Sequence, residues 1–250
     1  MKKIAFLFIA LVMSVVGMAQ AEDWFEQGNA AYNNGDYEQA LTMYGNIENS
    51  EQESASLYYN MGNTYYKMKE YPKAILYYEK ALKLDPSNED IKANLEIANL
   101  AVVDRITPIP QSFIKRWWNG LKSWLSSDGW AWLSVSSFAL FLLSLFAFLM
   151  SRRASIRKLG FFIGLLAFVA FALSVLFAFE GKKDMKHHDE AVVMTPTVTV
   201  KSSPSVSSVD LFVLHEGTKV RIMDSANGWN KIKIADGSVG WMQSDDMIAF

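Results

Sequence analysis

The sequence predicts a multidomain membrane protein: all-α helix hairpins first, a two-helix transmembrane hairpin next, and a small all-β barrel last. Three observations carry this expectation. A 34-residue internal repeat links Trp24 to Tyr58 and Ile47 to Ala81, two stretches of 21 residues hold no charge, and short β-rich runs fill residues 191–250.

Composition narrows the function classes. With 24 Lys+Arg against 26 Asp+Glu, the 250-residue chain has no basic field to hold nucleic acid. The absence of cysteine removes disulfides, thiolate nucleophiles and cysteine-based metal sites. A positive mean hydropathy of +0.08 at an apolar share of 51% indicates apolar residues gathered into runs.

The first 21 residues carry Lys2 and Lys3, an apolar stretch from Ile4 to Val16, and Ala19-Gln20-Ala21, the small-x-small pattern of a secretory signal peptide. Either cleaved or kept as an anchor, this segment would send residue 22 out of the cytoplasm.

A shift of 34 residues superposes Gly28 on Gly62, Asn29 on Asn63, Tyr32 on Tyr66, Tyr37 on Tyr71, Ala40 on Ala74 and Tyr44 on Tyr78, all identities. Each copy holds two helical patterns. Small residues such as Gly28 and Ala40 suit the close crossing of two helices, and the aromatics fill the volume around them. The copies span 21–54 and 55–88 of a domain at 22–104, and a third helix over 89–103, with Ile91, Leu95, Ala98 and Val102 at helical spacing, would cover the second hairpin as a cap or a degenerate third repeat.

These residues resemble tetratricopeptide repeats, the second copy most clearly through Gly62-Asn63-Thr64-Tyr65-Tyr66, Tyr71, Ala74, Tyr78, Ala81 and Asp85-Pro86. The first copy departs at Gln27, Ala31 and Gln52. The resemblance implies a concave groove lined by the first helix of each hairpin, with Asn29 and Asn63 placed to hold the backbone of a bound peptide. The stripe that would line it holds Phe25, Asn29 and Asn33, matched by Tyr59, Asn63 and Lys67. Read from the residues alone, the stripe serves equally well as a solvated helix face.

After Pro108 and Pro110, residues 112–126 set Phe113, Ile114, Trp117, Trp118, Leu121, Trp124 and Leu125 against Lys115, Arg116, Asn119 and Lys122, the pattern of an amphipathic helix at a membrane surface. The charge-free stretches 130–150 and 159–179 each reach about 31 Å as helices, the thickness of the hydrocarbon layer. Between them, 151–158 carries Arg152, Arg153, Arg157 and Lys158, which assigns that turn to the cytoplasm and both flanking domains to the periplasm. The spans hold serines but no ionisable group, so they anchor rather than conduct.

A charged linker over 180–190 leads to the β-rich segment 191–250, where Asn227-Gly228 and Asp236-Gly237 accept positive φ at hairpin turns. Five or six strands are expected. The order Val200 to Pro204, Leu211-Phe212, His215 to Val220, Gly228-Trp229 and Asp236 to Trp241 resembles bacterial SH3-like domains. Phe212, Trp229 and Trp241 are its candidate surface aromatics, with one tryptophan expected in the core and the other at the barrel edge; bacterial relatives are linked to cell-wall peptides, which implies possible peptidoglycan contact.

No catalytic constellation, cofactor motif or metal set stands out. His187-His188 reads as solvated linker, and His215 as part of a polar turn. The chain is expected to be no enzyme and to need no cofactor.

Signal segment, repeats, transmembrane pair and SH3-like domain, in that order, resemble the BatE-type proteins of the Bacteroides aerotolerance system. That resemblance implies an inner-membrane adaptor beside von Willebrand A-type Bat proteins and other membrane proteins, with the lipid bilayer as a partner and no nucleic acid. The rival class is a wall-binding or wall-sensing receptor acting through the SH3-like domain.

Overall fold

The computed structural model describes residues 19–50, 52–110, 112–186 and 189–250. Of the export segment only residues 19–21 fall within it, and His187-His188 lie outside the described residues. The chain divides into two compact units: one runs to Leu82 and adds Glu89–Ile109 and Asp189–Phe250, and the other comprises Lys83–Asn88 and Pro110–His188.

The first unit opens with α1 (residues 19–34), followed by α2 (Tyr37–Asn49), α3 (Ala55–Lys67), α4 (Tyr71–Leu84) and α5 (Glu89–Asn99). Gly35 ends α1 at φ +85°, and its counterpart 34 residues on, Lys69, takes the same left-handed region at φ +64° after α3. Ser54 caps α3 by accepting from the Leu57 amide at 3.1 Å. The repeat identities have a packing cause: a Cβ on Gly62 would lie 2.6 Å from the Tyr78 ring, and a Cβ on Gly28 would collide with Tyr44 in the same way. Only glycine lets each tyrosine lie across the preceding helix.

α5 carries the repeat register onward, because Asn94 bonds to Asn63 as Asn60 bonds to Asn29. At the 34-residue shift, Glu96 stands where Gly28 and Gly62 admit their tyrosines. α5 thus repeats the asparagine bond of the preceding copies but has no glycine where a following tyrosine would pack. It ends at Asn99, four residues short of the expected 103, and residues 102–109 run without helix.

The C-terminal part of this unit is a seven-stranded antiparallel sheet of β1 (Glu190–Val193), β2 (Thr197–Lys201), β3 (Asp210–His215), β4 (Lys219–Ala226), β5 (Trp229–Lys233), β6 (Val239–Gln243) and β7 (Met247–Ala249), in the order β3-β2-β6-β5-β4-β1-β7. Five or six strands were expected; β7, closed onto β1 through Val193↔Met247, is the addition. Asn227 (φ +53°) and Gly228 (φ +77°) make the β4–β5 hairpin turn. Val200, Leu214, Val220, Ile232 and Met242 form the core on one face.

Repeats and sheet are parts of one body, although the sequence read them as separate domains. Asp104 accepts from the His215 amide at 2.7 Å, faces the His215 Nδ1 at 2.7 Å and accepts from the Thr218 hydroxyl at 2.8 Å. Lys219 bridges Glu79 of α4 at 2.8 Å and Glu190 of β1 at 2.9 Å. Gly217 (φ +85°) sits under Val102 and Ile75, Ile106 packs on the sheet core, and the Ile109 amide donates to the Ala235 carbonyl at 3.1 Å. His215, read as part of a polar turn, ends β3 at that turn and also binds the segment that follows α5.

In the second unit, α6 (Phe113–Lys122), α7 (Ser127–Met150) and α8 (Ala154–Lys186) follow one another. α8 is continuous from the basic stretch into the expected linker, leaving only residues 151–153 between it and α7. The difference is physical: lysine and glutamate are good helix formers, so a charged stretch does not end a helix. α7 and α8 pack closely at Gly160, whose absent Cβ would lie 3.0 Å from the Ser144 carbonyl and 3.1 Å from the Phe148 amide. Both helices are long and apolar enough to cross a membrane.

Candidate protein-binding groove

The groove is built from one arrangement used twice. In the first copy Asn29 Oδ1 accepts from the Tyr44 hydroxyl at 2.7 Å and from Asn60 Nδ2 at 2.8 Å. In the second, Asn63 Oδ1 accepts from the Tyr78 hydroxyl at 2.7 Å and from Asn94 Nδ2 at 2.9 Å. Asn94 Nδ2 also donates to the Tyr59 hydroxyl at 3.0 Å.

An asparagine whose Oδ1 takes two donors has its orientation fixed, and its Nδ2 group points away from them. Among the described residues no buried side-chain nitrogen or oxygen lacks a partner, so these Nδ2 groups reach solvent. They do so in two cavities. One, of about 300 Å³, is lined by Asn29, Tyr32, Asn33, Tyr44, Asn60 and Asn63. The other, of about 310 Å³, shares Tyr32 and Asn63 with the first and adds Tyr59, Tyr66, Lys67 and Asn94 among others.

Burial pushes the Tyr44 phenol up to about 12 and raises that of Tyr78 as well. Both stay neutral donors at any physiological pH, so the orientation of Asn29 and Asn63 is independent of pH. The first cavity has no charged lining residue. It suits hydrogen bonding to an uncharged extended backbone better than capture of a carboxylate.

Of the six residues read as groove-lining, Asn29, Asn33, Tyr59, Asn63 and Lys67 border these two cavities. Phe25 instead packs its ring 6.0 Å from Tyr44, as Tyr59 does at 6.1 Å from Tyr78. Asn60 and Asn94, which complete the arrangement, were missed. Their identity at a 34-residue separation was visible, but it extends past the segment where the two copies were superposed.

The sheet aromatics fall differently from expectation. Regular pairing of Trp229 with Gln243 and of Lys231 with Trp241 sets Trp229, Lys231 and Trp241 on one face, opposite Ile232 and Met242 of the core. Neither tryptophan is core, so the expected division between them does not hold. Phe212, paired with Val200, packs partly buried against the core cluster.

Residues 55–88 match the tetratricopeptide repeat. That segment contains α3, α4 and the Asn63–Tyr78 pair, and repeats of this family are protein-interaction scaffolds. No curated protein matches the chain.

Proposed function

We propose that the chain is a noncatalytic, membrane-anchored adaptor that holds an extended segment of a partner protein in the repeat groove. The observation that carries the reading is the twice-used arrangement in which Asn29 and Asn63 are fixed by tyrosine and asparagine donors and offer Nδ2 to the cavity. Two such donors one repeat apart suit two separated backbone carbonyls of one extended bound chain. α7 and α8 supply the anchor, and residues 22–129 and 180–250 lie in the periplasm. Because the repeats and the sheet form one body on either side of the hairpin in sequence, they occupy one side of the membrane, which favours an even number of crossings. On this reading the chain acts in the manner of BatE-type proteins, beside von Willebrand A-type membrane proteins.

Asn29→Asp and Asn63→Asp test the groove: aspartate keeps the accepting oxygen that holds the two donors and replaces the Nδ2 donor with a second acceptor. The double variant should fold and reach the membrane at wild-type yield, yet lose the partners that cross-link to a photoreactive residue at Asn33. Retention of the same partners at wild-type yield would move recognition away from the groove.

A second reading has its own observation. Trp229, Lys231 and Trp241 on the outer face of an SH3-like sheet form an aromatic and basic surface suited to a wall peptide. Sedimentation of the full chain in detergent with peptidoglycan, with and without Trp241→Ala, measures it.

A further inference from the structure

α6 has no buried residue, and its apolar side is open: Phe113 is 72% exposed, Ile114 76% and Trp117 57%. What its other side touches fixes its level along the hairpin. Trp118 packs its ring 4.9 Å from Phe177 and donates from Nε1 to Glu180 at 3.3 Å, while Lys122 pairs with Asp184. Residues four apart on α6 meet residues four apart on α8 in the same order, so the two helices run in the same direction here. Phe113, Ile114 and Trp117 precede Trp118, and therefore lie at the level of α8 residues before Glu180, inside its charge-free stretch. At 100° per residue, Phe113, Ile114, Trp117 and Leu121 share one side, Trp118 and Lys122 the next, and Asn119 and Arg116 the remaining polar arc, with Asn119 opposite the apolar side.

We infer that the Phe113–Ile114–Trp117 face of α6 is immersed in the headgroup and upper acyl region of the bilayer, in the leaflet from which α8 emerges. The inference rests on the membrane reading of α7 and α8. Indole rings favour that layer, with the ring body among acyl chains and the N–H near water. Trp130, which donates to the Lys122 carbonyl at 2.9 Å, and Trp118 tie α6 to the hairpin at the same level. α6 is thus a third membrane contact beside the two spans, not a free helix lying on the surface. Arg116 and Asn119 face the water, and Lys122 is held by Asp184.

The chain has no cysteine, so single cysteines can be introduced without removing native ones. Spin labels at Phe113→Cys, Trp117→Cys, Arg116→Cys, Asn119→Cys and Val135→Cys, in full-length protein in nanodiscs of phosphatidylethanolamine and phosphatidylglycerol, are read by collision with oxygen and with a water-soluble nickel chelate. All five residues are exposed, Val135 to 62% on α7. Labels at 113, 117 and 135 should meet oxygen in preference to nickel, and those at 116 and 119 the reverse. Aqueous readings at 113 and 117 with a lipid reading at 135 overturn the proposal and leave the membrane reading standing. Protection of 113 and 117 from both reagents overturns it in favour of a protein partner. An aqueous reading at 135 removes the membrane reading and this proposal with it.

Discussion

Asp104 grips His215 twice, through the backbone amide and through the ring, across a sequence separation of 111 residues. With Thr218 on the same carboxylate, one side chain fastens the end of the repeats to the β3–β4 turn. Asp104→Ala leaves the His215 amide and the Thr218 hydroxyl without their acceptor. The expected cost is about 1.5–3 kcal/mol in denaturant melts of the full chain in detergent, since the lost acceptor is charged. Hydrogen exchange should rise over 100–109 and 215–219 and stay unchanged over α1 to α3. Unaltered exchange at 215–219 would show that Ile106 and Val102 hold the contact without Asp104.

The same contact has a pH signature. Burial raises the Asp104 carboxyl, but the hydrogen bonds from His215 and Thr218 outweigh it and hold the group below its ordinary value. Burial likewise opposes ionisation of Glu190, where Lys219 and Arg221 prevail and lower it. For Lys219 burial lowers the ammonium, but Glu79 and Glu190 prevail and raise it. The carboxylates contribute stability that is present above their ordinary values and is lost as pH falls through the depressed ones. The lysine contributes stability present below its ordinary value and lost as pH rises through the raised one. Melts should show a plateau through neutral pH and an acid loss beginning below about 4. Asp104→Asn should shrink that acid loss; an unchanged acid limb would assign it to other carboxylates.

Gly62→Ala places a methyl 2.6 Å from Tyr78, and Gly62→Leu adds more volume to the same space. Overpacking of this kind costs about 1–3 kcal/mol, with leucine the worse. Gly45 has nothing within 4 Å of its absent Cβ, so Gly45→Ala in α2 should be neutral or mildly stabilising. Thermal melts by circular dichroism compare the three.

In the sheet, Met242→Ala should cost about 2–5 kcal/mol, because Met242 is fully buried in the core. Trp229→Ala and Trp241→Ala, on the opposite face, should each cost less than that. If either tryptophan variant proves as damaging as Met242→Ala, the outer face is covered in the folded chain.

Topology is checked by labelling. Cysteines at Ser87 and Ser207 should react with an impermeant maleimide in cells with a permeabilised outer membrane, and one at Ser155 should not. The reverse pattern would invert the orientation.

What the sequence disclosed depended on whether the signal was local. Gly28 and Gly62 were legible because a close helix crossing demands the same residue at each period. The charge-free stretches of α7 and α8 were legible because the solvent they suit is written in composition. Hairpin turns at Asn227-Gly228 and Asp236-Gly237 announced themselves through residues that accept positive φ. The facing of Trp229 and Trp241 was not legible, since it rests on the pairing of Lys231 with Trp241 across a turn of undetermined register. Nor was the Asp104–His215 contact, because a pairing between residues so far apart leaves no periodicity and an aspartate after a helix looks like any cap. α8 outran its expected end for a different reason: lysine and glutamate continue a helix as readily as leucine does.

The contact between Asp104 and His215 closes a chain loop that contains the whole hairpin. Closing so long a loop from an open chain would carry a large entropic cost, but pairing of α7 with α8 brings Ser127 to Ala178 first, at 3.0 Å between hydroxyl and carbonyl. Only the short stretches on either side then remain to be ordered. The end of the repeats therefore cannot gain its clasp before residues 189–250, which carry His215, have been made. Until then Val102 and Ile106 lack the sheet residues against which they pack.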